Sequence, residues 1–271
     1  MPSKVKIGII GSSGIVGSAL KKYLEKKLNF QLFLYDKGKD IGSIEEANKA
    51  DYIYICVPTP FDKEKGCDTS IVEGVISQIK DGKIVIIKST IIPGTTEKIQ
   101  RQRPNLKILF NPEFLRAISA DQDMNYPDRQ IIGYTKESYC VSQDVMQQLP
   151  LAPFEKIVPA TVAELVKYAG NTWIATRVIF ANMIYDISEK LGIDYELVSD
   201  IMGADKRIGR THLKVWHDGY RGYGEMSISK CIPKDSKSLI TFGKNLDIKT
   251  IELLEKIDKI NSYLWENYGK R

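Results

Sequence analysis

Val5-Lys6-Ile7-Gly8-Ile9-Ile10-Gly11-Ser12-Ser13-Gly14-Ile15-Val16-Gly17 decides how the rest of the chain is read. Val5 to Ile10 is a short β-branched apolar run, the composition of a buried strand. The glycines mark a tight turn, after which Ala19, Leu20, Tyr23 and Leu24 recur at helical spacing. A second apolar run, Phe30 to Tyr35, ends at Asp36, 19 residues beyond Gly17. Strand, glycine turn, helix, strand and acid is the order of a dinucleotide-binding βαβ unit, although G-x-x-G-x-x-G is one residue longer at its start than G-x-G-x-x-G. In such a unit the backbone of Gly11, Ser13, Gly14, Ile15 and Val16 approaches a pyrophosphate at the helix N-terminus. Asp36 would accept hydrogen bonds from the adenosine ribose hydroxyls.

Working outward, the alternation continues. Ser43-Ile44-Glu45-Glu46 is a capping box opening a short helix, and strands are expected over Tyr52 to Val57, Lys83 to Lys88, Lys107 to Phe110, Gln130 to Gly133 and Glu155 to Val158. Helices are expected over Thr69 to Ile79, Thr95 to Arg101 and Glu137 to Leu149. Repeated alternation predicts an α/β fold, a Rossmann-type doubly wound parallel sheet. Ligands of such sheets bind beyond the strand C-termini, where Asp36, Pro58-Thr59-Pro60, Ser89-Thr90 and Asn111-Pro112-Glu113 fall.

The pattern changes at Thr161-Val162-Ala163-Glu164, which reads as another capping box. From Leu165 to Leu191 the apolar residues keep helical period until Gly192, a natural stop, and only helical patterns follow: Tyr195 to Met202, the segment after Cys231, and Ile248 to Tyr268. The expectation is an NAD-binding domain over 1–159 and an all-helical dimerisation and catalytic domain with one long helix over 160–271.

With 271 residues, 43% of them hydrophobic and 27% charged, the chain has the composition of an ordinary globular protein. The net charge of +5 is spread without a basic block, which argues against nucleic acid as a partner. Four cysteines without a C-x-x-C pair, and only two histidines, indicate neither a metal site nor a disulfide framework. No apolar stretch reaches the ~18 residues of a membrane span, so a cytoplasmic protein is expected.

The chemistry concentrates at Ser229-Lys230-Cys231-Ile232-Pro233-Lys234-Asp235. Pro233 suits a first helical turn, which puts Cys231 at a helix N-terminus. The helix dipole and the flanking Lys230 and Lys234 would favour the thiolate, the nucleophilic form. Asp235 follows one turn later, so both side chains could face one site. Lys167 and Asn171 lie four apart on the long helix, hence on one face, where they could polarise an alkoxide or carbonyl oxygen beside a nicotinamide.

Several stretches together resemble the UDP-glucose/GDP-mannose dehydrogenase family, the NAD-dependent four-electron dehydrogenases of nucleotide sugars. They are Cys56-Val57-Pro58-Thr59-Pro60, Lys88-Ser89-Thr90 with Pro93-Gly94-Thr95, Asn111-Pro112-Glu113-Phe114-Leu115-Arg116, and Pro127-Asp128-Arg129. They continue with Ala163 to Ala169 and Asn171, Asp205-Lys206-Arg207-Ile208-Gly209, and Cys231 to Asp235. The resemblance implies that Cys231 attacks an aldehyde formed at the sugar C6, and that a second oxidation gives a thioester which water hydrolyses to a uronic acid. Lys167, Asn171 and Asp235 would handle the oxyanion and protons, while Glu113 and Thr90 match positions that hold or activate the water. Val57, Pro58, Thr59, Ser89 and Thr90 would line NAD. Phe114, Leu115, Arg116, Lys167, Lys214, Tyr223 and Gly224 would meet the nucleotide-sugar substrate, most readily a UDP-sugar, and Arg207 matches an arginine that reaches the sugar of a neighbouring subunit.

The chain departs from the family pattern in three places. Ala117 stands where an acid is usual, the approach to Cys231 carries extra residues, Met226 to Lys230, and the family normally continues into a third nucleotide-binding domain, which a separate chain could supply. In its place, the Lys214 to Lys230 loop, with Trp216, His217, Tyr220, Arg221 and Tyr223, and the helix bearing Trp265 and Tyr268 are candidates to cover the nucleotide. A homodimer through the long helix is expected from Trp173, Phe180 and Met183. The competing readings are a two-electron β-hydroxyacid dehydrogenase, whose sites also place a lysine and an asparagine four apart, and an NAD-binding regulatory subunit without catalysis.

Overall fold

The computed structural model describes residues 4–217, 219–224 and 231–268. The chain forms two units, one of Met1–Pro60 and Cys67–Lys167, the other of Phe61–Gly66 and Tyr168–Arg271.

Strands β1 (Val5–Ile10), β2 (Phe30–Tyr35) and β3 (Tyr52–Ile55) open the first unit, and a short pair, β4 (Phe61–Asp62) and β5 (Gly66–Cys67), interrupts it. The sheet continues with β6 (Ile84–Ile87), β7 (Lys107–Phe110), β8 (Arg129–Tyr134) and β9 (Phe154–Pro159), in the order β2-β1-β3-β6-β7-β8-β9. Its helices are α1 (Ile15–Glu25), α2 (Ile44–Ala47), α3 (Ser70–Ser77), α4 (Thr95–Gln102), α5 (Ala120–Asn125) and α6 (Ser142–Gln148). Successive strand residues point to opposite faces, as the pleat requires. Ile53, Ile55, Val85 and Ile87 pack with Val72, Ile76 and Ile99 on one side; Tyr54, Ile86 and Leu109 pack with Leu20, Leu24 and Val145 on the other.

The sheet is parallel except at one seam, where Leu109 of β7 lies opposite Tyr134 of β8 and the two strands run antiparallel. The parallel doubly wound sheet read from the sequence holds at every other pairing of the sheet, and this seam departs from it. A parallel return needs a crossover that runs the length of the sheet. Between β7 and β8 the helix is α5, of 6 residues, about 9 Å long at 1.5 Å per residue. It packs on α1 through Lys22 and Asp121 at 2.6 Å, so the chain re-enters the sheet from the end at which β7 left it.

Among the described residues the second unit is helical apart from its Phe61–Gly66 segment, which carries β4, and one hairpin. It holds α7 (Ala160–Leu191) from Tyr168 onward, α8 (Tyr195–Ala204), the hairpin β10 (Trp216–His217) and β11 (Tyr220–Arg221), α9 (Cys231–Asn245) and α10 (Glu252–Asn267). Ala175, Val178, Ile179, Tyr223, Ile232, Ile257 and Leu264 form its main core. Gly192 ends α7 with φ +64°, the left-handed stop expected of it. Among the described residues no helix is long and apolar enough to cross a membrane.

The capping box read at Thr161 to Glu164 is not what opens α7. The helix begins at Ala160, so Thr161 already lies in its first turn. Glu164, fully buried, serves α4 instead: it accepts from the Gly94 N–H at 2.6 Å, the Thr96 N–H at 2.8 Å and the Thr96 hydroxyl at 2.6 Å. Gly94, the residue preceding α4, has φ +94° and no side chain to cap with, so a carboxylate distant in sequence supplies the cap.

Candidate active site

The glycine turn lies where the strand order reverses, between β2-β1 on one side and β3 on the other. Gly11 turns with φ +81°, and a Cβ there would overlap the Cys56 carbonyl at the end of β3. Gly14 precedes α1 in extended conformation, with no side chain capping the first-turn N–H groups. Those donors and the helix dipole favour an anion, and Ser13, Gly14, Ile15 and Ser18 line a cavity of about 510 Å³. Val16 lies in the first turn of α1. Asp36 Oδ2 accepts from the Ser13 N–H at 2.9 Å and Oδ1 from the Gly38 N–H at 3.1 Å, which ties the end of β2 to the turn. The carboxylate still has acceptor sites to spare, and with Tyr35, Lys37 and Asp40 it lines a second cavity of about 260 Å³. Val57-Pro58-Thr59 and Ser89-Thr90 are fastened to each other: Ser89 Oγ donates to the Val57 carbonyl at 2.7 Å and Thr59 Oγ1 to the Thr90 carbonyl at 2.7 Å.

At the end of β7, Glu113 is paired with Lys167. The lysine Nζ donates to the Glu113 carbonyl at 2.7 Å and to Oε1 at 2.8 Å, while Oε2 accepts from the Leu115 N–H at 2.9 Å. Burial acts to raise the Glu113 carboxyl. The adjacent Lys167 charge and hydrogen bond, the Leu115 N–H and Lys88 outweigh it and hold the group below the usual carboxylate range. Phe114 lies under the Arg129 guanidinium, 3.8 Å from the ring centroid, with Lys167 at 5.8 Å. Arg116 is exposed and held by Asp123 through Nη2 at 2.7 Å. Lys88, which the sequence reading left without a role, is buried at the end of β6.

In the second unit Cys231 is the first residue of α9 and is exposed. One turn on, Asp235 is fully buried, its Oδ2 accepting from Asn171 Nδ2 at 2.5 Å. Lys234, expected to flank the thiol as a cation, instead pairs with Asp235 Oδ1 at 2.7 Å. Its charge is thus committed to a buried carboxylate. Lys230 and the extra residues Met226 to Lys230 lie outside the described residues.

Of the aromatic candidates for covering a nucleotide, Tyr223 is fully buried, while Trp216, His217, Tyr220, Trp265 and Tyr268 are half-buried. Tyr220 stacks on Trp265 at 4.8 Å between centroids, and a Cβ on Gly224 would overlap the Trp265 ring. Tyr223 is fully buried, with its backbone N–H and carbonyl both bonded to Asn261, at 2.7 and 2.8 Å. Arg221, 1% exposed, is fixed by Asn182 at 2.9 Å and Asp186 at 2.7 Å, with the Tyr268 ring 4.5 Å away and Tyr185 and Trp216 beside it. Tyr223 shares the core of the second unit with Ile257 and Leu264 of α10, and Tyr268 packs against it. Lys214 is exposed, and its carbonyl contacts His217 Nε2 at 3.0 Å. Arg207 is exposed and bonded to its own neighbour Asp205, at 2.6 Å for Nη2.

With both halves of the chemistry described, comparison with known proteins is informative. Residues 3–149 match the NAD binding domain of the UDP-glucose/GDP-mannose dehydrogenase family, and residues 161–263 match its central domain. The chain belongs to this family. An uncharacterised protein of Methanocaldococcus jannaschii is 31% identical over 96% of this chain and 29% of its own length. A UDP-glucose 6-dehydrogenase of Bacillus subtilis is 32% identical over 93% of this chain and 57% of its own. The structure of a UDP-glucose dehydrogenase from Pyrobaculum islandicum superposes with a TM-score of 0.81 at 27% identity, covering 96% of this chain and 68% of that one. The chain thus spans only about a third to three fifths of the length of these two curated relatives.

Motif reading singles out Glu113, Lys167, Asn171, Cys231 and Asp235 from short contiguous stretches. It does not show that Glu164 bonds Gly94 and Thr96, that Arg221 bonds Asn182 and Asp186, or that Asn261 bonds Tyr223, because these partners are remote in sequence. Lys88 carried one legible signal: a lysine directly after the apolar run Ile84 to Ile87.

Proposed function

We propose that the chain is an NAD-dependent nucleotide-sugar 6-dehydrogenase, oxidising a sugar C6 alcohol to a uronic acid in two steps through a covalent adduct on Cys231. One observation carries the reading beyond family membership: α9 presents an exposed thiol at its first residue and, one turn on, a buried carboxylate held by Asn171. A helix N-terminus is where a thiol is most readily ionised.

The glycine turn, the uncapped start of α1 and Asp36 suit NAD, since they offer N–H donors to a pyrophosphate and a carboxylate to a ribose diol. Two NAD molecules, bound there in succession, would each accept one hydride, one per oxidation. The chain's own residues do the rest. Lys167 and Asn171, on one face of α7, would stabilise the alkoxide and then the oxyanion. The Cys231 sulfur would add to the aldehyde carbon, giving a thiohemiacetal whose oxidation leaves a thioester. Glu113 would orient and deprotonate the water that releases the acid and returns the thiol, with Thr90 beside it and Asp235 exchanging protons through Asn171. Arg207 would meet the sugar of a second copy, and the exposed Trp173, Phe180 and Met183 of α7 support a homodimer.

Cys231→Ser tests the covalent step. With UDP-glucose, UDP-N-acetylmannosamine or GDP-mannose as substrate, the variant should fail to complete the four-electron oxidation, and acid-quenched wild type should carry a sugar mass on Cys231. Full turnover by the variant would remove the covalent step.

A further inference from the structure

Lys88 is 4% exposed, and its Nζ donates to Asn111 Oδ1 at 2.5 Å. Asn111 is fully buried and fixed in turn, its Nδ2 donating to the Ile131 carbonyl at 2.8 Å. Among the described residues Lys88 therefore rests on a neutral amide instead of on a carboxylate. Burial without a direct counter-ion pushes the Lys88 ammonium down, and the nearby Glu113 charge opposes that shift. The groups facing it are Cys56 at the end of β3, Glu113 two residues beyond Asn111, and Lys167 from α7. Burial pushes the Cys56 thiol up to about 12, so it stays neutral near pH 7, and the one anion of the cluster is Glu113.

We propose that Lys88 is a positioning residue acting through Glu113. Held by Asn111, it fixes the Asn111-Pro112-Glu113 turn at the end of β7 and is coupled electrostatically to the Glu113 carboxylate. Glu113 is then faced by Lys167 from α7, by the Leu115 N–H of its own loop and by Lys88 from β6. The proposal rests on the dehydrogenase reading for what Glu113 does, but not for the coupling itself.

Carbon-13 labelling of glutamate carboxyl and lysine ε-carbons reads both partners by NMR without substrate, the Glu113 signal being assigned by its loss in Glu113→Gln. In Lys88→Met the Glu113 midpoint should rise by ~0.5–1 pH unit, the effect of losing a nearby opposite charge, and Lys88→Arg should restore it. Reciprocally, the Lys88 midpoint should fall in Glu113→Gln, because coupling between two sites is mutual. That second measurement needs no Lys88 variant and stays decisive if Lys88→Met does not fold. The acid limb of the kcat/KM profile should move with the Glu113 midpoint. Midpoints unmoved by removal of the other partner overturn the proposal. Coupled midpoints in a protein that oxidises no nucleotide sugar would instead refute the reaction and leave the coupling standing.

Discussion

Replacing Lys167 by methionine keeps the length and apolar stem of the side chain while removing its charge and both hydrogen bonds to Glu113. The two side chains are 5% and 11% exposed, so Glu113 would be left a buried carboxylate without its direct counter-ion. Breaking one partner of a buried pair costs about 3–5 kcal/mol near neutral pH. At roughly 2–4 °C per kcal/mol for a chain of this size, the melting transition of the first unit should fall by roughly 6–20 °C. The pH dependence supplies the sharper check. In the wild type Glu113 lies below its ordinary value of 4.5. Its contribution is therefore present above that value and lost as pH falls through the lowered one. In Lys167→Met burial is the main influence left, the carboxyl rises, and protonating it relieves the penalty. The gap between variant and wild type should accordingly be widest in alkali and close as the pH falls towards the ordinary carboxylate range. Urea denaturation across that range measures the gap, and the double variant Glu113→Gln/Lys167→Met should recover most of the loss. A penalty under about 1 kcal/mol, a gap independent of pH, or a double variant no better than the single one would each refute the reasoning.

Glu164→Ala should destabilise the first unit by about 1–3 kcal/mol, because it orphans two N–H groups at the start of α4; calorimetry checks it, and an unchanged melting temperature would contradict the cross-chain cap. Asp36→Ala should weaken NAD binding by isothermal calorimetry while narrowing the preference over NADP, since the carboxylate bonds the free 2′-hydroxyl and repels a 2′-phosphate; equal affinities in the wild type would deny Asp36 that role. Gly222→Ala should cost about 1–3 kcal/mol, because Gly222 has φ +82° and an added Cβ would overlap Asn261 Oδ1; near-wild-type urea stability would show that Asn261 can yield.

The order of strands and helices was legible because it depends on local chemistry: period-two and period-3.6 apolar patterns, glycines where only a positive φ will do, and proline in a first turn. Gly11, Gly192 and the start of α9 at Cys231 follow from neighbours in sequence alone. The motifs that place the chain in its family are also short and contiguous, so they survive without knowledge of the fold. Tertiary structure decided the rest. Whether β8 runs parallel or antiparallel to β7 depends on where α5 finds a surface, which is α1. Glu164 looked like the cap of its own helix, and the shape of the chain gave it instead to Thr96, 68 residues away. That Tyr223 lies in a core with Ile257 and Leu264, and that Trp265 stacks on Tyr220, depends on contacts between segments distant in sequence. A side chain's type states which contacts it can make, and only the packing of distant segments decides which of them is within reach.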